Sequence, residues 1–156
     1  MTPTRTLLFL LLLAGTALTG CRPSTVFDQS SPLPEQGWAA GDTIHFQAAM
    51  QDTLNLHEMY LTVRHTTGYP YRNLFLFLDI AFPDGRILRD TLECMLAEPS
   101  GRWTGKGFGH IKSHAFLFRD DVWFPAEGPY GFSLVHGMRE DTLEGMADIG
   151  IRIERK

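Results

Sequence analysis

From residue 43 onward, apolar and polar positions alternate with a period of two. Ile44 and Phe46 fall on one side of residues 43–48. Met59, Leu61 and Val63 fall on one side of a second run, with Tyr60, Thr62 and Arg64 opposite. Residues 73–82 are apolar almost throughout, which predicts a central strand covered on both faces. Pro83, Asp84 and Gly85 then predict a tight turn, because proline presets φ and glycine accepts a positive one. Residues 87–96 return as the second arm of that hairpin. Shorter runs follow at 111–118, 131–138 and 147–153, and in the last Ile149, Ile151 and Ile153 share a face. No long stretch carries the helical period; residues 141–146 have room for one turn. Many short strands parted by Gly and Pro predict an all-β domain over residues 42–156. The expected form is an antiparallel β-sandwich of seven or eight strands in two sheets, immunoglobulin-like or jelly-roll-like. A closed barrel puts alternate residues inward in the same way, so the pattern alone does not separate the two.

The N-terminal region breaks this pattern. Arg5 is followed by an unbroken apolar run at residues 7–14, enough to engage export machinery and short for a bilayer span. Gly15, Ala17 and the sequence LTGC at residues 18–21 complete what resembles a bacterial lipobox. Residues 1–20 are therefore read as a signal peptide and Cys21 as the lipidated residue. Cleavage discards the apolar peptide, and acyl chains at about 0.8 kcal/mol per buried methylene replace its hold on the membrane. Pro23, Pro32, Pro34, Ser30, Ser31 and Gly37 predict that residues 21–41 form a flexible tether. Val26, Phe27 and Trp38 are apolar within it, free to dock on the domain or to meet a partner.

The mature chain, Cys21 to Lys156, has 136 residues and fits one domain. Loss of Arg5 leaves 13 of the 14 basic residues against 18 acidic ones, a formal net charge of −5. No segment has the basic density that phosphate tracking needs, which excludes nucleic acid as a partner. Cys94 then has no intramolecular disulfide partner and reads as a buried small hydrophobe.

Candidate chemistry is sparse. The Gly-rich run at residues 101–109 lacks the Lys-Ser/Thr pair of a P-loop, because Lys106 is followed by Gly107. It predicts a loop folded over one end of the sandwich, with Trp103 and Phe108 either packed beneath it or protruding as a contact surface. His110 and His114 share a strand face but lie about 13 Å apart when extended, too far to hold one ion. His45, His57, His65 and His136 add no compact ligand spacing, and no metal or cofactor is expected. There is no nucleophile elbow. Asp79, Asp84, Asp90, Glu93, Asp120, Asp121 and Asp148 could supply paired carboxylates for glycoside hydrolysis, yet they read as turn and strand-end residues. No catalytic residue and no enzymatic activity are expected. Tyr69, Tyr71, Trp103, Phe108 and Tyr130 near loop boundaries could bind protein, stack on a sugar, or close the ends of the core.

The runs HTTGYPYRNL (65–74), FLFLD (75–79), FPDG (82–85), DTLEC (90–94), GRWTGKG (101–107), GHIK (109–112), GPYG (128–131), HGMR (136–139) and DIGIRIE (148–154) occur in order along the chain. Together with the lipobox they resemble the gliding motility lipoprotein family GldH of the Bacteroidetes. That resemblance implies a noncatalytic, lipid-anchored envelope protein acting as an adaptor in gliding motility and associated secretion. It implies envelope motility or secretion proteins as partners; an envelope glycan is the alternative. Next to Cys21, Arg22 and the Pro-Ser-Thr-Val after it lack an acidic cluster resembling this phylum's surface-export signals, so the domain is expected to face the periplasm, from either the inner or the outer membrane. The resemblance and the aromatic and basic positions together predict an interaction surface at Tyr69, Tyr71, Arg72, Asn73, Trp103, Lys106, Phe108 and Arg139.

Overall fold

A computed structural model describes residues 24–156. Cys21 and the signal peptide lie outside the described residues. Ten strands follow one another: β1 (Thr25–Pro32), β2 (Trp38–Ala39), β3 (Ile44–Met50), β4 (His57–Thr66), β5 (Asn73–Ala81), β6 (Ile87–Met95), β7 (Ile111–Val122), β8 (Gly128–His136), β9 (Thr142–Leu143) and β10 (Met146–Arg155). They form two four-stranded antiparallel sheets, ordered β1-β10-β4-β7 and β3-β8-β5-β6, and a two-stranded sheet of β2 and β9. Among the described residues no ladder joins the two larger sheets.

Alternation does the sorting. In β4, Met59, Leu61 and Val63 are buried while Tyr60, Thr62 and Arg64 turn outward. Ile149, Ile151 and Ile153 of β10 lie beside them in the same buried layer. Leu74, Leu76, Leu78 and Ile80 of β5, with Tyr130, Phe132 and Leu134 of β8, supply the facing layer, and the two make one apolar core. The main strands pair in a nested way: β5 with β6, β4 with β7, β3 with β8 and β1 with β10. Consecutive strands mostly change sheet, so the connecting loops gather at the two ends of the structure.

The β5–β6 hairpin matches its expectation, in register from Asn73–Met95 to Ala81–Ile87. Its turn closes with the Phe82 amide donating to the Arg86 carbonyl, and Gly85 has φ of +86°. Two other expectations are corrected. First, β5 is central in its sheet, but only one face is buried. That sheet packs on one side alone, and Phe77 stays 47% exposed on the other.

Second, residues 24–41 are part of the fold instead of a tether. β1 pairs with β10 from Thr25–Glu154 to Pro32–Asp148. An edge strand tolerates the serines and a terminal proline, because one row of its amides has no ladder to complete. Phe27 packs against the core near Phe132. Trp38 is fully buried, its indole Nε1 donating to the Asp42 carbonyl at 2.8 Å. The compact domain thus begins at Thr25. Replacing Trp38 by Ala should cost about 3–5 kcal/mol. Urea unfolding of the variant checks this, since a residue in a free tether would leave the midpoint unchanged.

Candidate functional site

The strand directions bring three connections to one end of the structure: residues 67–72 after β4, residues 96–110 after β6 and residues 137–145 after β8. These connections, with the first residue of β5, hold all eight residues expected at an interaction surface. Their side chains take different roles.

Tyr69 is only 3% exposed, so it is corrected from surface to core. Its hydroxyl donates to the Asn73 carbonyl at 3.0 Å, its ring meets those of Tyr71 and His65, and burial pushes its phenol far up. Tyr71 is half-buried, and its hydroxyl donates to the Glu140 carboxylate. Asn73 donates through Nδ2 to Glu93 at 2.8 Å. The Arg72 carbonyl accepts the amides of Leu96 and Ala97, and the residue is exposed. Arg139 is exposed as well. Tyr71, Asn73, Phe75, Met138 and Arg139 line a cleft of about 460 Å³.

The second group lies along the edge of β7. Lys106 exchanges two backbone hydrogen bonds with Ser113, so the Gly-rich segment extends the sheet there. Trp103 is half-buried against the core, as expected, with its ring 4.6 Å from that of His65. Phe108 is not packed; it is fully exposed at the tip of the loop. Gly107 and Gly109 on either side of it have positive φ, and that backbone path carries the side chain away from the sheet.

One feature at this end has no signal in the sequence spacing. His114 pairs with His65 across β4 and β7, Nε2 to Nε2 at 3.1 Å, while His110 stands exposed in a turn. His65 Nδ1 lies 2.8 Å from the Thr66 carbonyl and so carries the proton, leaving its Nε2 to accept from His114. Both rings are neutral. Burial, then the neighbouring His65, pushes His114 down to about 4, and burial lowers His65 too. A side chain at Gly105 would put its Cβ 2.4 Å from His114 Nε2, so only glycine lets the loop close over the pair. Among the described residues no group of three His, Cys, Asp or Glu is arranged to hold a metal.

The acids weighed for hydrolysis are all engaged. Asp79 pairs with Arg89, Asp84 with Arg86, Asp90 with Arg119, Asp148 with Arg64, and Lys156 bridges Asp120 and Asp121. Glu93 accepts from Asn73. Cys94 is buried and its thiol is pushed up to about 12 by burial, so it packs as a small apolar residue.

The histidines predict a pH dependence. His65, His114 and His136 are all held below the ordinary imidazole value, chiefly by burial. The unfolded chain therefore binds more protons as pH falls below about 6.5, and stability drops from there down to about 4. Arg-paired Asp79 and Asp84 have lowered values, so their contribution is lost only at more acid pH. Urea midpoints between pH 7 and pH 4.5 should fall for the native protein and fall less for His114→Gln.

The family profile described as GldH lipoprotein matches residues 25–153. The chain is 32% identical over 154 residues to the gliding motility lipoprotein GldH of Flavobacterium johnsoniae, covering 94% of this chain and 95% of that protein. It is 30% identical to a GldH homolog of Christiangramia forsetii, with 94% of each covered. A solved structure titled Family 16 Carbohydrate Binding Module-2 overlaps with a TM-score of 0.29 at 13% identity, over 78% of this chain and 80% of that one; a likeness this slight bears on neither fold nor function. With a family profile over most of its length and relatives aligned nearly end to end, this chain belongs to the GldH lipoprotein family and is a lipoprotein of the cell envelope.

Proposed function

We propose that the protein is a noncatalytic accessory component of the gliding-motility and associated secretion machinery. It is anchored by acyl chains on Cys21 after removal of residues 1–20, with its domain in the periplasm. The names of its relatives support the process, and the lipobox supports the anchor. The observation that carries an adaptor role is the gathering of Tyr71, Arg72, Trp103, Lys106, Phe108 and Arg139 at one end of the fold. Phe108 there is wholly exposed on a loop pinned by the Lys106–Ser113 hydrogen bonds. An exposed aromatic at the same end as Arg72 and Arg139, which have no ion-pair partner among the described residues, is the composition of an interface.

Protein is favoured over glycan as the partner of this end. Tyr69 is inside the core, Trp103 has one face against His65, and the Tyr71 hydroxyl is taken by Glu140. Few open aromatic faces are left for a sugar ring. The nested pairing of eight strands in two sheets supports a jelly-roll assignment for the fold.

Cross-linking in native cells from a photoreactive residue at position 108 or 139 should give adducts with envelope motility or secretion proteins, whereas position 47 on the outer face of β3 should not. Phe108→Ser with Arg139→Glu should lower recovery of the complex about tenfold or more without shifting the unfolding midpoint. A protein extracted in mild detergent only as a free monomer, with no adduct from either position, would overturn the adaptor reading.

A further inference from the structure

The opposite end of the structure holds a second surface. The amide of Arg155 donates to the Ser24 carbonyl at 2.7 Å, and that of Lys156 to the Leu56 carbonyl at 3.0 Å. Trp123 Nε1 donates to the Thr53 carbonyl at 2.6 Å. These bonds tie the start of β1, the end of β10, the β3–β4 loop and the β7–β8 loop into one end, which the β5–β6 turn shares. Large apolar side chains are exposed on or beside it: Leu54 (91%), Ile87 (66%), Trp123 (58%), Leu56 (44%), Val26 (39%) and Leu88 (38%). Among the described residues the far end and the sheet faces together expose only Phe77, Met95, Phe108 and Leu117 in the same way.

This exposure is built into the fold. Asp52 accepts the amides of Leu54 and Asn55 through Oδ1 at 3.1 Å each, and both its oxygens accept from Asn55 Nδ2. That turn points Leu54 into solvent at the crest of the loop, and the Trp123 hydrogen bond props it from the side.

What lies opposite follows from the chain. Cys21 stands three residues before Ser24, and three residues span at most about 11 Å. Because β1 begins at Thr25, no long spacer separates this end from the acyl chains. We infer that this end, through Leu54, Leu56, Ile87 and Trp123, rests on the surface of the lipid bilayer that holds the acyl chains of Cys21. The inference rests on the lipid-anchor reading above and adds an orientation to it. Apolar and indole side chains on such a surface enter the headgroup region to about 5–10 Å.

Charge does not drive the contact. Arg155 pairs with Asp52, Lys156 with Asp120 and Asp121, and Arg86 with Asp84. Among the described residues no cation at this end is left to seek anionic lipid, so the contact made by Leu54, Leu56, Ile87 and Trp123 is apolar and insensitive to salt. β7 alone carries the chain about 35 Å from this surface to the loop that bears Phe108. The expected partner surface therefore points away from the membrane.

The test uses the full lipidated protein in phosphatidylethanolamine–phosphatidylcholine vesicles. A bimane fluorophore is attached at L54C in one variant and at F108C in another; both sites are exposed loop positions, and Cys94 is buried and unreactive. With nitroxide on the lipid headgroups, the position-54 probe should lose about half its emission or more, in low and high salt alike, and the position-108 probe should be unaffected. Protein that floats with the vesicles but shows equal quenching at both sites, or quenching at 108 alone, overturns this orientation and leaves the anchor standing. Protein that does not float, with Cys21 unmodified by mass spectrometry, overturns the anchor reading and the orientation with it.

Discussion

Burial of one face of each four-stranded sheet against the other is the constraint on which the remaining structure depends. Leu61, Ile151 and Ile149 on one side meet Leu76, Leu78, Phe132 and Leu134 on the other, and all are fully excluded from water. Each side chain of this size contributes roughly 1.5–3 kcal/mol when buried. The ladders hold strands beside one another, but they are equally satisfied in a flat sheet; the apolar layer makes the two sheets meet. Cys94 contributes as one more small apolar group, so no disulfide within the domain is needed.

Packing two sheets on one face each leaves two outer faces, four edges and two ends. The outer faces are dressed with cross-strand ion pairs, such as Arg64 with Asp148 and Arg89 with Asp79. These are exposed pairs, worth little to stability individually. The ends are where nested pairing sends the loops, and they differ in chemistry. One has Tyr71, Lys106, Arg139 and an isolated protruding Phe108, a mixture suited to a protein partner. The other has leucines, an isoleucine and an indole, with the cations among its described residues already paired. On the proposed reading, the second end meets the membrane and the first meets the assembly.

Much of the fold was legible in the sequence. Strict alternation at residues 59–64 and 149–153 fixes inward and outward sides, since the side-chain period of a strand is two. Pro83 and Gly85 name their turn by their own backbone preferences. Where the reading failed, composition stood in for pairing. Residues 24–41 carry the serines and prolines of a tether, yet an edge strand accepts the same residues, and β10 supplied a free edge for them. Residues 73–82 are apolar enough for two covered faces, but Phe77 found no second layer. The aromatic and basic positions singled out in the sequence fall at one end of the fold, while the burial of Tyr69, the exposure of Phe108 and the His65–His114 pair depended on neighbours far away in sequence.

The amino-acid sequence by itself determined the all-β strands and the Pro83–Gly85 turn, because those follow from local period and turn chemistry, and it carries the N-terminal pattern on which the proposed export and lipidation rest. Tertiary structure decided which apolar residues are inside, which histidines touch, and that β1 belongs to the sheet. Those outcomes hang on which strand lies beside which, and pairing between residues as distant as Thr25 and Glu154 leaves no mark in the neighbourhood of either.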